Sequence, residues 1–305
     1  MNTASKLGAY AVGLAVVFGG ALGVGSAVGE STPAPARPSH GSAHAEVVAE
    51  PQADTPGGLQ VSENGYTLNP LTTVKAGEPT DFRFTVTGPD GKPVTDYQVK
   101  HDKKLHFILV SRDLAAFQHL HPEQAGDGVW SVKLTLADPG AYRAFADFAP
   151  AGGSGLTLGT DVPVAGDYQP RALPAVTRTA EVDGYTVSLT GDLVPGQASK
   201  LTLSVSKDGK PVTDLQPYLG AYGHLVALRA GDLAYLHVHP EESDKAGPEI
   251  TFYAEVPSGG DYRLFLDFQH AGKVRTADFT ARAAAGQPKP AAEPSVSPSH
   301  GDNTH

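Results

Sequence analysis

The sequence predicts an all-β protein: two tandem immunoglobulin-like β-sandwich domains behind an N-terminal hydrophobic helix, with disordered segments on either side. Three observations carry this. Gly65-Tyr66-Thr67 recurs as Gly184-Tyr185-Thr186, Asp90-Gly91-Lys92-Pro93-Val94-Thr95-Asp96 recurs unchanged as Asp208 to Asp214, and Gly140-Ala141-Tyr142-Arg143 recurs as Gly260-Asp261-Tyr262-Arg263. Apolar and polar residues alternate in Phe82–Val86, Trp130–Leu134 and Leu201–Val205, the period of a half-buried strand. Turn formers such as Pro89-Asp90-Gly91, Asp138-Pro139-Gly140 and Lys207-Asp208-Gly209 punctuate these runs at short intervals.

In chain order, Leu7 to Val28 carries no charge. At about 22 residues it is close to the ~20 that span a bilayer as a helix, and longer than the ~7–15 of a secretory core. Residues 1–29 are therefore an export element. Their length favours an uncleaved membrane anchor, with Lys6 inside and Glu30 outside. Ala27 and Gly29 would equally suit a signal cleaved before Glu30. Either way the rest of the chain is expected outside the cytoplasm: on the outer face of the cell membrane, or secreted if the N-terminus is removed. Residues 30–58 are rich in Pro, Ala and Ser and should form a disordered tether. Repeat 1 is expected over 59–166 and repeat 2 over 180–284, with a disordered tail over 285–305. Asp138-Pro139-Gly140-Ala141-Tyr142 fits the tyrosine corner of immunoglobulin-like sandwiches, and fits an ordinary turn before a strand equally well.

Composition removes several chemistries. The net charge is −10 and the 23 Lys and Arg are scattered, so no basic surface for nucleic acid is expected. Cysteine is absent, which excludes disulfides, thiolate sites and a cysteine nucleophile. The single Met is the first residue, so no thioether site for Cu(I) can form.

The repeats share a pattern of histidines. His106, His119 and His121, followed by Pro122, recur 118 residues later as His224, His237 and His239, followed by Pro240. Between 106–122 and 224–240 only these histidines, the proline and Ala116/Ala234 are identical. The flanking runs read as a hairpin. A turn centred between Asp113 and Leu114 sets His106 opposite His121, and one between Gly231 and Asp232 sets His224 opposite His239. Residues two apart on a strand share a face, as do directly paired residues, whose Cβ atoms lie about 4.5–5.5 Å apart. All three histidines of a repeat should therefore leave one side of one hairpin, with ring nitrogens converging. That side also carries Ile108, Val110 and Phe117, or Val226, Leu228 and Tyr235, and reads as the core-facing one.

Converging neutral imidazoles suit a borderline divalent metal, copper(II) or zinc, with a water or carboxylate in a fourth position. Glu123 and Glu241 are the near candidates for that carboxylate, and Asp147 and Asp267 weaker ones. Two other readings stand beside this. The histidines can be structural rings hydrogen-bonded to backbone, in a module that presents a surface to a protein partner. Alternatively, Gly231-x5-His237-x-His239 matches the start of a cupin metalloenzyme motif. Ser243 and Asp244 stand where that motif needs glutamate, and Tyr262 near its later histidine. His101 has no counterpart, because Leu219 occupies its place, and His270 has none in repeat 1. His40, His44, His300 and His305 lie in the polar tails and read as solvated linker.

Lys104 to Asp113 together with Phe117-Gln118-His119-Leu120-His121-Pro122 resembles bacterial exported immunoglobulin-like proteins of the YtkA-like or FixH-like kind. That resemblance covers one hairpin and the following Gly-x-Tyr strand of each repeat. It implies a non-enzymatic envelope protein concerned with metal handling, copper first.

Overall fold

The computed structural model describes residues 55–284 apart from His237 and Glu242, with His239 described by its backbone only. The expected export helix, most of the tether and the tail lie outside the described residues. Among the described residues the regular elements are all strands, and no helix is long and apolar enough to cross a membrane.

Repeat 1 holds β1 (Ser62–Glu63), β2 (Tyr66–Pro70), β3 (Thr80–Thr87), β4 (Leu105–Ser111), β5 (Phe117–Leu120), β6 (Glu123–Gln124), β7 (Val129–Leu134), β8 (Gly140–Phe148) and β9 (Leu156–Val164). Repeat 2 holds β10 (Thr179–Val182), β11 (Tyr185–Thr190), β12 (Ala198–Lys207), β13 (Lys210–Pro211), β14 (Gly223–Arg229), β15 (Tyr235–Leu236), β16 (Val238–Pro240), β17 (Glu249–Glu255), β18 (Gly260–His270) and β19 (Lys273–Ala283). Each repeat is an open sandwich of two antiparallel sheets. Repeat 1 pairs them as β1-β2-β3-β7-β6 and β5-β4-β8-β9. Repeat 2 pairs them as β10-β11-β12-β17-β16, with β13 on β12, and β15-β14-β18-β19.

The alternating residues read from the sequence fill each core. In repeat 1, Phe82, Phe84 and Trp130 from one sheet meet Phe107, Leu109, Ala144 and Phe148 from the other. Trp130 stacks on Phe84 and meets Tyr97 edge-on, its indole N–H donating to the Tyr97 hydroxyl at 3.3 Å. The Gly-x-Tyr turns are tyrosine corners. The Tyr142 hydroxyl donates to the Asp138 carbonyl at 2.9 Å, and the Tyr262 hydroxyl to the Ser258 carbonyl at 2.7 Å.

The histidine hairpin has the predicted register. Phe107 pairs with Leu120, Ile108 with His119 and Val110 with Phe117, while Ala227 pairs with Leu236 and Leu228 with Tyr235. The turn is tightened by the Ser111 hydroxyl, which donates to Asp113 at 2.6 Å and accepts the Ala116 N–H at 2.9 Å. The hairpin of repeat 2 is shorter than expected. Its return strand breaks after Leu236, and β16 crosses to the other sheet, where His239 pairs with Tyr253. The backbone partner of His239 is thus Tyr253 rather than His224.

One expectation is reversed. The histidine-bearing face does not look into the core of its own repeat. Along β4, Leu105, Phe107 and Leu109 enter that core, whereas Ile108 and Val110 point the other way. They join Leu114 and Phe145 in a separate apolar cluster with Val226, Leu228, Leu233 and Phe265 of repeat 2. The two β4/β14-type sheets face each other. A period-two strand buried on both sides reads as continuously apolar, and β4 is buried at every position. Thr55–Gly58, at the end of the stretch read as tether, runs into this junction. Gly57 bridges to Tyr235 of repeat 2, and the Gly58 carbonyl accepts from the Arg143 guanidinium of repeat 1 at 2.7 and 2.9 Å.

Candidate metal centre

Where the facing sheets run past their apolar cluster, imidazoles take over. His106 is carried on β4, His119 on β5, and His121 just after β5, before Pro122 and the crossing to β6. One ligand nitrogen from each of the three lies within 4.8 Å of the others. Ring centroids are 5.4 Å apart for His106 and His119, 5.2 Å for His106 and His121, and 4.7 Å for His119 and His121.

The hydrogen bonds of the outer nitrogens fix the inner ones. His106 Nε2 lies 3.2 Å from the Lys100 carbonyl. A carbonyl only accepts, so this nitrogen carries the proton and Nδ1 is bare. His119 Nδ1 lies 2.8 Å from Asp267 Oδ2, so there too the outer nitrogen donates, and in the neutral ring Nε2 is bare. The Asp267 carboxylate is itself held by the Thr276 hydroxyl, which donates to Oδ1 at 2.5 Å. The two bare nitrogens, His106 Nδ1 and His119 Nε2, face each other at 3.1 Å. Opposed lone pairs at that distance repel unless a proton or a metal cation lies between them. A tetrahedral metal with bonds of ~2.0–2.1 Å would hold its nitrogens about 3.3–3.4 Å apart. The third ring completes the set: His121 Nε2 is buried with no hydrogen-bond partner, and Nδ1 stands 3.5 Å from the Tyr218 hydroxyl of repeat 2. The 4.8 Å within which the three nitrogens lie is wider than the tetrahedral spacing.

The electrostatics keep His106, His121 and His224 neutral. Burial, followed by the neighbouring His119, pushes His106 down to about 3. Burial, followed by His119 and His106, does the same to His121. Burial also lowers His224. Neutral imidazole is the form that ligates metal.

Of the residues singled out in the sequence, His106, His119 and His121 come together. The ring of His224 lies 6.3 Å from both His106 and His119, with Nε2 held by the Tyr218 carbonyl at 2.7 Å. His237 and the side chain of His239 lie outside the described residues. Glu123 is exposed on β6, outside the three-histidine group, and Glu241 accepts from the Tyr253 hydroxyl at 3.3 Å. Asp147 pairs across the ladder with His106 and accepts from Thr157 at 3.2 Å; burial raises its pKa to about 6. His270 is tied to Tyr185 at 2.7 Å and Asp214 at 3.1 Å, away from the cluster.

Two residues gain a place that the spacing did not give them. Asp267, a weaker candidate on the strand after the Gly-x-Tyr-Arg turn, is the partner of His119 in the other repeat. The available signal was its recurrence with Asp147 after the shared Gly-x-Tyr-Arg. His101, unique to repeat 1, sits with φ 48° and brings its ring 5.5 Å from His224 and 6.2 Å from His106. The repeat carried no signal for it.

Comparison with solved structures finds matches at low identity. The adhesin FdeC of Escherichia coli is 17% identical over 73% of this chain and 65% of its own, with a TM-score of 0.24. Domains 4 and 5 of the S-layer protein SbsC are 13% identical over 74% of this chain and all of theirs, at 0.22. MtrC from Shewanella baltica is 10% identical over 73% and 71%, at 0.23. This chain spans just under two thirds of the adhesin chain. No curated protein matches. One family description matches both repeats almost end to end, over residues 60–169 and 180–285. The chain belongs to that family, Domain of unknown function (DUF8832), and carries two copies of its domain.

Proposed function

We propose that the protein is a non-enzymatic binder of a divalent transition metal, copper(II) or zinc, held by the imidazoles of His106, His119 and His121 outside the cytoplasm. The observation that carries this is the 3.1 Å approach of His106 Nδ1 and His119 Nε2, whose opposite ring nitrogens face a carbonyl and a carboxylate, beside the unpartnered His121 Nε2. The outer contacts match what ligating histidines use, namely a backbone carbonyl on one ring and a carboxylate on another. With no thiolate and no thioether besides Met1, the donor set suits copper(II) and zinc. The repeat extends the same chemistry to His224, His237 and His239, which gives two equivalents per chain. The apolar stretch Leu7–Val28 supports an extracytoplasmic location and, if uncleaved, attachment to the membrane.

One observation favours a second reading. A proton on His119 Nε2 would also relieve the opposed lone pairs, leaving an imidazolium paired with Asp267 and donating to His106. The histidines would then be structural, in an interaction module of the envelope. Titration of the metal-depleted full chain with Zn(II) and with Cu(II) separates the two. Metal binding predicts sub-micromolar uptake of two equivalents, with one lost in His119→Ala/His121→Ala. Absence of uptake tighter than micromolar, with the histidines mattering only to thermal stability, would establish the structural reading. Turnover of a substrate at this centre would restore the cupin-like metalloenzyme.

A further inference from the structure

Each repeat enters its histidine strand through a tight turn, and only the turn of repeat 1 is basic. In repeat 1 the turn is Lys100-His101-Asp102-Lys103. The Lys100 N–H donates to the Lys103 carbonyl at 2.8 Å, and the Lys103 N–H donates to the Lys100 carbonyl at 3.0 Å. In repeat 2, 118 residues on, Tyr218-Leu219-Gly220-Ala221 closes the same pair of bonds at 2.8 and 3.2 Å. Both central residues have positive φ in each turn: 48° and 59° at His101 and Asp102, 53° and 77° at Leu219 and Gly220. The backbone is thus repeated, but Lys100, Lys103 and Lys104 have Tyr218, Ala221 and Tyr222 as counterparts. The charges belong to repeat 1 alone.

This basic turn is attached to the metal centre. Its Lys100 carbonyl is the acceptor that holds His106 Nε2. Behind burial and the neighbouring imidazoles, the Lys103 charge helps to lower His121. Lys100, Lys103 and Lys104 line an open cleft of about 420 Å³, to which Leu156, Leu225 and Val238 add apolar surface. The Lys100 ammonium reaches Gly155, 2.9 Å from where a Cβ on that glycine would stand. The ion-paired lysines among the described residues are Lys75, Lys200 and Lys273, so these three charges are not spent on salt bridges within the fold. The Asp102 carboxylate lies by Gly220 of the other turn, and Asp147, held by Thr157, is the one carboxylate lining the cleft. A smaller cavity of about 80 Å³ lies against His106 and His119, and shares His101, His106 and Asp147 with the cleft. The group able to hold the metal contains three imidazoles and no carboxylate. Three such ligands leave a fourth position, where a carboxylate oxygen is an accepted donor.

We propose that the cleft binds a small organic dicarboxylate, with one carboxylate held by Lys100, Lys103 and Lys104 and the other completing the coordination of the metal on His106, His119 and His121. This rests on the metal-binding reading above. The lysines select an anion, and the apolar lining selects a carbon skeleton over an inorganic oxyanion. The fourth ligand then comes from solution, which accounts for a histidine centre that no glutamate of its hairpin joins.

Titration of the Cu(II)-loaded full chain with succinate, followed by the copper visible absorption band, tests this. The band should shift and saturate with a Kd of about 1 mM or tighter. Lys100→Gln/Lys103→Gln/Lys104→Gln should weaken succinate by about tenfold, as expected for removal of three partly exposed charges, while Cu(II) uptake without succinate stays intact. Lys103→Gln alone, the milder change, should weaken succinate about twofold to threefold. Inorganic phosphate should bind more weakly than succinate. An equal shift in wild type and the triple variant would mean that succinate reaches the copper without the cleft, and would overturn the proposal. Phosphate binding as tightly as succinate would overturn the organic selectivity. A chain that takes up Cu(II) but shows no shift with succinate refutes the dicarboxylate site and leaves metal binding standing. If the wild type takes up no Cu(II), both fail together.

Discussion

His119 in the first repeat donates its Nδ1–H to Asp267 in the second, at 2.8 Å, across 148 residues of chain. Both side chains are nearly enclosed, at 5% and 7% exposure. The contact therefore orients an imidazole and also ties the two sandwiches together. Asp267→Ala would leave a buried donor without a partner, a loss of about 1–3 kcal/mol. Urea unfolding of the full chain, read by the fluorescence of its only tryptophan, Trp130, should show this loss without metal and a larger one with it.

Acid should destabilise the metal-free protein. His106 and His121 are held at about 3 in the folded chain, against about 6.5 when unfolded. Between those values the unfolded chain binds more protons, so stability falls as pH drops from about 6.5 toward about 3. Asp147, raised to about 6, acts in the opposite sense: the folded chain holds its proton more tightly between about 3.9 and about 6. Two histidines outweigh one carboxylate. Thermal melts from pH 7.5 to 4 should show a net decline, flattened in His106→Ala/His121→Ala. Bound metal should be released over the same window, because protons compete for the same nitrogens.

The stacked pair Phe117–Phe265 should carry much of the docking. Phe265 is fully covered, and its loss in Phe265→Ala should cost about 3–5 kcal/mol. Phe265→Leu should recover more than half. The signature of a docking role is increased hydrogen exchange along β4 and β14 together, since Ile108, Val110, Val226 and Leu228 share that cluster.

Gly58 is held where no side chain fits. Its φ is +74°, and a Cβ built there would stand 2.4 Å from Cδ1 of Phe145. Gly58→Ala should cost about 1–3 kcal/mol through overpacking, beyond the penalty for left-handed backbone. It should also free the Gly57 bridge to Tyr235, seen as faster exchange of the Tyr235 amide, which donates to the Gly57 carbonyl at 2.9 Å. Gly77→Ala, at an open turn with nothing near its missing Cβ, is the control for backbone strain alone.

The hairpin shows how much was legible in the sequence. Asp113-Leu114 and Gly231-Asp232 set the turns, and a turn fixes register for the strands it joins. Ile108 opposite His119 and Leu228 opposite Tyr235 follow from arithmetic on residue numbers. That arithmetic failed at His239, because β16 leaves the hairpin for β17, a sheet change that only the packing of two layers imposes. Proximity in sequence misled as well. Glu123 stands two residues past a histidine, yet it faces solvent.

By itself the sequence determined the repeat, the strands and the convergence of three imidazoles on one side of one hairpin. All of these are local, set by turn chemistry and the two-residue period of a strand. The tertiary structure decided what that side faces. Alternation divides a strand into two faces and is silent on what covers each. A chain with two copies of the same half-apolar face can satisfy both at once by pressing them together. That burial put Asp267 beside His119 and turned a hairpin feature into one shared between repeats.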